Sequence, residues 1–304
     1  MTGDIDHQMD GILIINKPAG MTSHDVVAKV RKLLKQRRVG HAGTLDPAAS
    51  GVLPICVGQA TRVAEYLSES GKAYRATIIF GAVTDTYDSE GIITRTASTN
   101  GLTRATIEAI LPAMLGDQMQ VPPRYSAIKL QGQPAYKRAR AGEDVAMEAR
   151  PITIYQLEII DWQVSPSPTL TLAIECSKGT YIRSLAYDLG EKLGCGAYLG
   201  GLIRTRSGPF ALTESITLEQ LTQAAEQGTI EELLHPADKA IEQYPALVLD
   251  ETTTERVRHG NAFQIEENIY EQTLARVYDD KGQFVAIAEW DEERKVWQPV
   301  KVFL

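Results

Sequence analysis

The first clear pattern along the chain is a β-branched run, Gly11–Ile15, closing at Asn16-Lys17-Pro18-Ala19-Gly20, which predicts a strand that leaves through a turn. Thr22 or Ser23 can cap the helix that follows, with Asp25 in its first turn. Val26, Val27, Val30, Leu33 and Leu34 then recur at helical spacing and leave Lys29, Arg31, Lys32, Lys35, Arg37 and Arg38 largely on other faces. Such a basic set is as readily a solvated helix face as an RNA contact. Gly51–Gly58 is an apolar core run, and Gln59–Ser68 reads as a helix with Val63, Ala64 and Leu67 inward. Lys72–Phe80 alternates, so Tyr74, Ala76, Ile78 and Phe80 share one face of a strand. Thr84–Gly91 is rich in turn residues, and Thr103 caps a helix to about Leu115 that Pro112 should bend or end.

Val121–Arg150 breaks this regularity. It holds Pro122-Pro123, Gln131-Gly132-Gln133 and the basic residues Lys137, Arg138, Arg140 and Arg150, with Tyr125 and Tyr136 between them. A long basic insertion of weak periodicity is either a functional loop or an ordinary surface excursion. Its mixture of cations and rings suits single-stranded RNA. Beyond it, Ile152–Val164 and Thr169–Ser177 alternate like a pair of strands. Thr180–Leu193 reads as a helix with Ile182, Leu185, Ala186, Leu189 and Leu193 as its apolar stripe, Arg183 off that stripe, and Gly194 as its stop. Tyr198–Ile203 is a further short strand, and Leu274–Val277 and Gln283–Trp290 flank an Asp279-Asp280-Lys281-Gly282 turn, which predicts a small hairpin-rich β unit at the end.

Composition narrows the class. The 304 residues are 43% hydrophobic and 23% charged, ordinary for a globular protein. No apolar run is long enough to span a bilayer, and residues 1–10 lack the basic start and apolar stretch of a signal peptide, so a cytoplasmic protein is expected. Cys56, Cys176 and Cys195 form no CxxC and the five histidines no HxxxH, which gives neither a disulfide framework nor a zinc site. The net charge of −8 is unevenly spread: residues 1–210 carry 23 Lys+Arg against 20 Asp+Glu, and the remainder 8 against 19. Phosphate contact needs a local positive surface, and only the first two-thirds could supply it.

The chemistry concentrates in Gly40-His41-Ala42-Gly43-Thr44-Leu45-Asp46-Pro47. Its glycines and proline make an irregular loop, and a residue before proline is biased away from helix. Taken alone, Asp46 is as readily a cap as a reacting group, and His41 as readily a structural ring. The whole string decides more. Ile14-Ile15-Asn16-Lys17-Pro18-Ala19-Gly20 is followed by Thr22-Ser23-His24-Asp25 and by Arg38–Pro54; then come Lys72-Ala73-Tyr74-Arg75, Thr84-Asp85-Thr86, Pro122-Pro123-Arg124-Tyr125-Ser126-Ala127 and Ala149-Arg150-Pro151, and later Cys176–Arg183 and Leu202-Ile203-Arg204-Thr205. This ordered set resembles the bacterial TruB family, the tRNA pseudouridine-55 synthases, over roughly residues 11–240.

The resemblance implies roles position by position. Asp46 matches the family's catalytic aspartate, Tyr74 the tyrosine that packs on the uracil ring, and Arg183 the arginine that pairs with the carboxylate. An adjacent cation favours a carboxylate's charged form. Tyr181 and Leu202 match residues that line the nucleoside pocket, His41 the histidine that helps hold the opened T loop, and Lys17 the N-terminal lysine that supports the fold near the pocket and is counted with the substrate-binding residues. It further implies isomerisation of uridine 55 of tRNA after base flipping, with neither metal nor organic cofactor, and help with tRNA folding. The implied architecture is α/β in the α+β sense. A catalytic domain over 1–245, built on a mixed, mostly antiparallel sheet with an RNA-gripping insertion at about 124–150, precedes a small β-rich PUA-like domain over 246–304. The implied partner is the tRNA T-arm, with no membrane, no obligate protein partner and a monomeric enzyme. A guide-dependent synthase of the dyskerin type would share the core, and the insertion favours the stand-alone form.

Overall fold

The computed structural model describes residues 8–126, 128–130, 133–134, 138, 143, 146–265 and 273–303, and its layout follows from which strands are apolar on both faces and which on one. Strands β1 (Gly11–Lys17), β2 (Val39–His41) and β3 (Ser50–Val57) come first. Successive side chains leave a strand on opposite faces. Leu13 and Ile15 of β1 therefore enter one core with Leu53 and Ile55 of β3, while Ile12 and Ile14 enter a second with Val52 and Cys56. Strand β4 (Lys72–Phe80) alternates as expected, with Tyr74, Ala76, Ile78 and Phe80 in the first core.

The hairpin of β5 (Ala82–Thr84) and β6 (Ile93–Thr96) stands apart, as do β8 (Lys129–Leu130) and β9 (Gln133–Pro134) after β7 (Gly116–Gln120). β10 (Arg150–Gln163), β11 (Thr169–Cys176), β12 (Ala197–Ser207) and β13 (Phe210–Ala211) complete the main sheet. Among the described residues it has nine strands, in the order β1-β3-β12-β4-β11-β10-β7, with β2 on β3 and β13 on β12. The sheet is mixed and mostly antiparallel: of its pairings only β12 with β3 is parallel.

Helices cover the first core. α1 (Ser23–Leu34) starts at a capping box, in which the Thr22 side chain accepts from Asp25 N and the Asp25 carboxylate accepts from Thr22 N. It buries Val26, Val27, Val30 and Leu34. The short α2 (Ala64–Glu69) and α3 (Arg104–Ile110) follow, and α4 (Ile182–Lys192) buries Ile182, Leu185, Ala186 and Leu189. Arg183 lies off that apolar stripe and is buried nonetheless, by polar partners. α5 (Leu218–Gln227) adds Leu218 and Leu221 to the same core.

Three elements differ from expectation. The helix over Gln59–Ser68 begins as a tighter turn, Gly58–Val63, before α2. The helix from Thr103 ends at Ile110, and Pro112, which has no N–H to give, sits in a tighter turn over Leu111–Met114. The strand expected over Tyr198–Ile203 runs on to Ser207 because its later residues pair with both β4 and β13. Of the 121–150 stretch, Ala127, Gln131, Gly132, Tyr136, Lys137 and Arg140 lie outside the described residues.

After α6 (Glu251–Arg258), whose approach carries β14 (Ala246–Val248), strands β15 (Leu274–Tyr278), β16 (Phe284–Asp291) and β17 (Val296–Val302) complete a second sheet of order β14-β15-β16-β17. It has its own core around Trp297, Phe263 and Val257. One of its residues, Ile287, packs instead into the second core with Ile12, Ile14 and Val52. Arg276 Nε donates to Tyr244 O at 2.9 Å, and Lys301 pairs with Glu65 at 2.8 Å, so polar ties reinforce that contact.

The parallel contact of β3 with β12 imposes one strict demand. Gly51 has φ +103°, and a Cβ there would lie 2.3 Å from the Arg204 carbonyl oxygen. Gly51→Ala should therefore lower stability by about 2 kcal/mol or more, read as a shifted denaturant midpoint. Gly20→Ala, at φ +87° with nothing within 4 Å, should cost only the conformational strain of about 1 kcal/mol.

Candidate active site

The loop that joins β2 to β3 carries Asp46, and almost every backbone group around that residue is held from outside the loop. Arg204 on β12, 1% exposed, donates through Nη2 to Gly43 O (3.0 Å), through Nη1 to Thr44 O (3.3 Å) and through Nε to Val52 O (2.7 Å). The Ser23 hydroxyl accepts from Leu45 N at 2.9 Å and donates to Leu45 O at 3.1 Å. Pro47 O accepts from Gly20 N at 2.8 Å and from Lys17 Nζ at 3.2 Å. Ala49 N closes the turn on Asp46 O at 3.1 Å. The backbone is pinned on both sides of Asp46, whose carboxylate projects half-exposed.

Lys17 belongs to this scaffold and not to the cleft. It is 0% exposed and gives its three protons to Pro18 O, Met21 O and Pro47 O. That leaves no donor for a substrate. Burial pushes its ammonium down to about 8, with Asp46 opposing the fall, so it stays mostly protonated at neutral pH.

The partner of Asp46 is Arg183, at the start of α4, with Nε 3.0 Å from Asp46 Oδ2. The rest of the guanidinium is fixed: Nη1 lies 3.4 Å from Asp88 Oδ2 and from Thr86 O, and Nη2 donates to Tyr125 O at 2.9 Å. Asp88 is itself held, its Oδ1 accepting from Thr86 Oγ1 at 2.6 Å and from Glu90 N at 3.1 Å. A cation gripped at its far end offers Asp46 one fixed edge.

Asp46 and Arg183 open onto a cavity of about 220 Å³ whose other walls include Tyr74, Tyr181, Leu202, Lys72 and Ser126. Tyr74 and Leu202 lie diagonally on one face of neighbouring strands, since Tyr74 pairs with Arg204 and Ala76 with Leu202. Tyr181 is set from behind by Gln120, which donates to its O at 3.0 Å and accepts from its N at 2.8 Å. Burial pushes the Tyr74 and Tyr181 hydroxyls up, with nearby arginines working partly against it, so both rings stay neutral. A wider groove of about 620 Å³ adjoins this cavity, also lined by Asp46 and Arg183 and reaching His24, Asp85 and Tyr125.

Of the residues singled out by sequence, the structure thus brings together Asp46, Tyr74, Arg183, Tyr181 and Leu202. His41 stands outside the cavity at the end of β2, edge-on to His24 with ring centroids 5.3 Å apart. Burial, His24 and Arg204 all push its imidazole down, and its Nδ1 has no hydrogen-bond partner among the described residues. Asp88, Arg204 and Gln120 were missed. A signal existed for one of them: Leu202 and Arg204 are two apart on a strand, so a pocket role for the first places the second on the same face. Among the described residues no group of three His, Cys, Asp or Glu side chains is placed to hold a metal ion, and no helix is long and apolar enough to cross a membrane.

Comparison with known proteins gives consistent matches along the chain. The model described as TruB family pseudouridylate synthase (N terminal domain) matches residues 31–182. Models of the tRNA pseudouridylate synthase B C-terminal domain and of the C-terminal part of pseudouridine synthase II TruB match 183–242 and 245–298. A tRNA pseudouridine synthase B of Dehalococcoides mccartyi is 46% identical over 296 residues, covering 97% of each chain. One of Geobacillus thermodenitrificans is 42% identical, covering 97% of this chain and all of its own. Among solved structures, a Cbf5-Nop10-Gar1 complex contains a chain with TM-score 0.74 and 27% identity, covering 97% of this chain and 85% of that one.

Lys17→Met keeps the apolar stem and strips the donors from the Pro18 and Met21 carbonyls. It should lower stability by roughly 2–4 kcal/mol in denaturant titration, against a change within about 0.5 kcal/mol for the exposed Lys29→Met.

Proposed function

We propose, from the premise that this chain belongs to the TruB family of pseudouridylate synthases, that it isomerises uridine 55 in the T loop of tRNA with Asp46 as nucleophile. That it is a tRNA pseudouridine synthase follows from relatives so named over nearly its whole length. The observation that carries the finer reading is the 3.0 Å pair of Asp46 and Arg183 on the wall of a cavity whose other walls include Tyr74, Tyr181 and Leu202. One positioned carboxylate in a mostly apolar chamber suits a reaction that adds and removes no group.

Pseudouridine formation breaks the C1′–N1 bond, turns the freed uracil and joins C1′ to C5. Asp46, kept in place by Arg183, is the group available to attack the target nucleotide or to take a proton from it. Tyr74 supplies a flat apolar face for the base while it turns. Tyr181 and Leu202 close the chamber, which keeps the detached base in and water out. A base stacked inside a folded loop reaches Asp46 only when flipped out. The wider groove beside the cavity is where the rest of the opened loop would lie, with His41 and His24 at its approach. We read the enzyme as working alone and as a monomer, on the T-arm, in the cytoplasm and without a cofactor, with residues 1–245 as the catalytic domain. Help with tRNA folding would use the same RNA contacts and not the carboxylate.

Mapping of pseudouridine at single-nucleotide resolution in an unmodified tRNA transcript should show product at the T-loop uridine and none with Asp46→Asn. Product elsewhere, or an active Asp46→Asn, overturns the assignment; Asp46→Asn that still speeds tRNA refolding would support the folding role. Asp88→Asn should lower turnover about 10- to 100-fold with tRNA affinity nearly unchanged, because it frees the far end of Arg183. Burial holds the Lys17 and Lys72 ammonium groups at about 8. Both are charged below that value and lose the charge and one of their three donor protons above it, so kcat should fall as pH rises through about 8 in a steady-state pH profile.

A further inference from the structure

Lys72 is a buried cation on the wall of the catalytic cavity to which the mechanism so far gives no contact with the substrate. It lies at the start of β4, two residues before Tyr74 and on the same face, and is 7% exposed. Its ammonium donates to two neutral carbonyls, Ser68 O at 2.8 Å and Ser70 O at 2.5 Å. The third proton has no acceptor among the described residues. No carboxylate pairs with Lys72 among the described residues; the charged group acting on it is another cation, Arg204, and the Cys176 thiol is the remaining titratable neighbour. By contrast, Arg183 is served by both carboxylates of the site, Asp46 and Asp88. The cavity therefore has its anions at one end and an uncompensated cation at the other. An unpaired buried charge is costly to keep, and such a charge is worth keeping where negative charge develops during a reaction.

We infer that Lys72 is a catalytic residue, the counter-charge for the uracil ring while it is detached from the ribose. The inference rests on the reaction proposed above. When the C1′–N1 bond breaks, its electron pair stays on N1 and spreads over O2 and O4, so the ring leaves as an anion. In the same interval Asp46 loses its charge, by bonding C1′ or by taking the C2′ proton. One negative charge passes from the Arg183 end of the cavity to the base. Joining C5 to C1′ uses that electron pair and releases Asp46 from C1′, or returns the C2′ proton; loss of the C5 proton to solvent and uptake of one at N1 then leave neutral pseudouridine. The cation placed to meet that charge at the base is Lys72, because Lys72 lines the cavity, whereas Arg204 does not line it and is turned to the Gly43, Thr44 and Val52 carbonyls and the Tyr74 hydroxyl.

The test compares wild type, Lys72→Met, Lys72→Gln and Lys72→Arg in single-turnover reactions with a tRNA transcript, alongside tRNA affinity and unfolding midpoint. Lys72→Met and Lys72→Gln should slow turnover about 100-fold at near wild-type affinity, and Lys72→Arg should recover much of the loss. A second substrate carries 5-fluorouridine at the target position. Fluorine stabilises the ring anion, so loss of the N-glycoside from this substrate should be slowed far less by Lys72→Met. Equal slowing on both substrates would assign Lys72 to packing alone and overturn the inference. Weakened affinity at an unchanged single-turnover rate would place the cation on a phosphate and overturn it too. A wild-type protein that makes no pseudouridine would overturn the parent reading, whereas an active wild type matched by Lys72→Met and Lys72→Gln would overturn this one only.

Discussion

The site depends on cations that are buried against backbone carbonyls. Arg204 and Lys17 act as internal solvent for the loop from Gly43 to Pro47, taking the place of water around carbonyl groups that an irregular segment cannot pair within itself. A loop held in this way needs no regular structure to be rigid. Its carboxylate can then be placed to within the tolerance that catalysis requires. The same arrangement explains the glycine at position 51, where a Cβ would run into the Arg204 backbone, while Gly43 is required by its φ of +86°.

The sheet turns these local restraints into a site. β4 and β12 run side by side and send Tyr74, Leu202 and Arg204 towards the helix-covered face. α4 begins beside them and delivers Arg183 from its first turn, and the 84–91 turn delivers Asp88 to the far end of that guanidinium. Four distant parts of the chain therefore meet around one carboxylate. None of the meeting pairs is a neighbour in sequence, so the site forms only with the whole sheet.

Much of the fold was legible because periodicity is a local property. The alternation of β4, the stripe of α4 and the cap at Thr22 each follow from residues within one element, and each is where the pattern put it. Asp46 by itself was an ambiguous Asp-Pro turn; the ordered resemblance, not the turn, gave it a reacting role. Asp88 was not legible, and Arg204 only as a residue sharing a face with Leu202, since their partners lie 95 and 160 residues away and no local pattern reports such contacts. Lys17, Lys72 and Arg204 were obscured for a further reason. Cations are expected at the surface, and only the folded chain shows that these three are enclosed.

Ile287 ties the terminal sheet into the second core, on the side of the main sheet opposite Tyr74 and the cleft. That sheet adds almost nothing to the net charge, since residues 273–303 carry 5 Lys+Arg against 6 Asp+Glu. What it adds is apolar cover beneath β1 and β3, the strands that flank the base of the Asp46 loop. The firmness of the floor under that loop is therefore set in part by a side chain about 240 residues further along the chain.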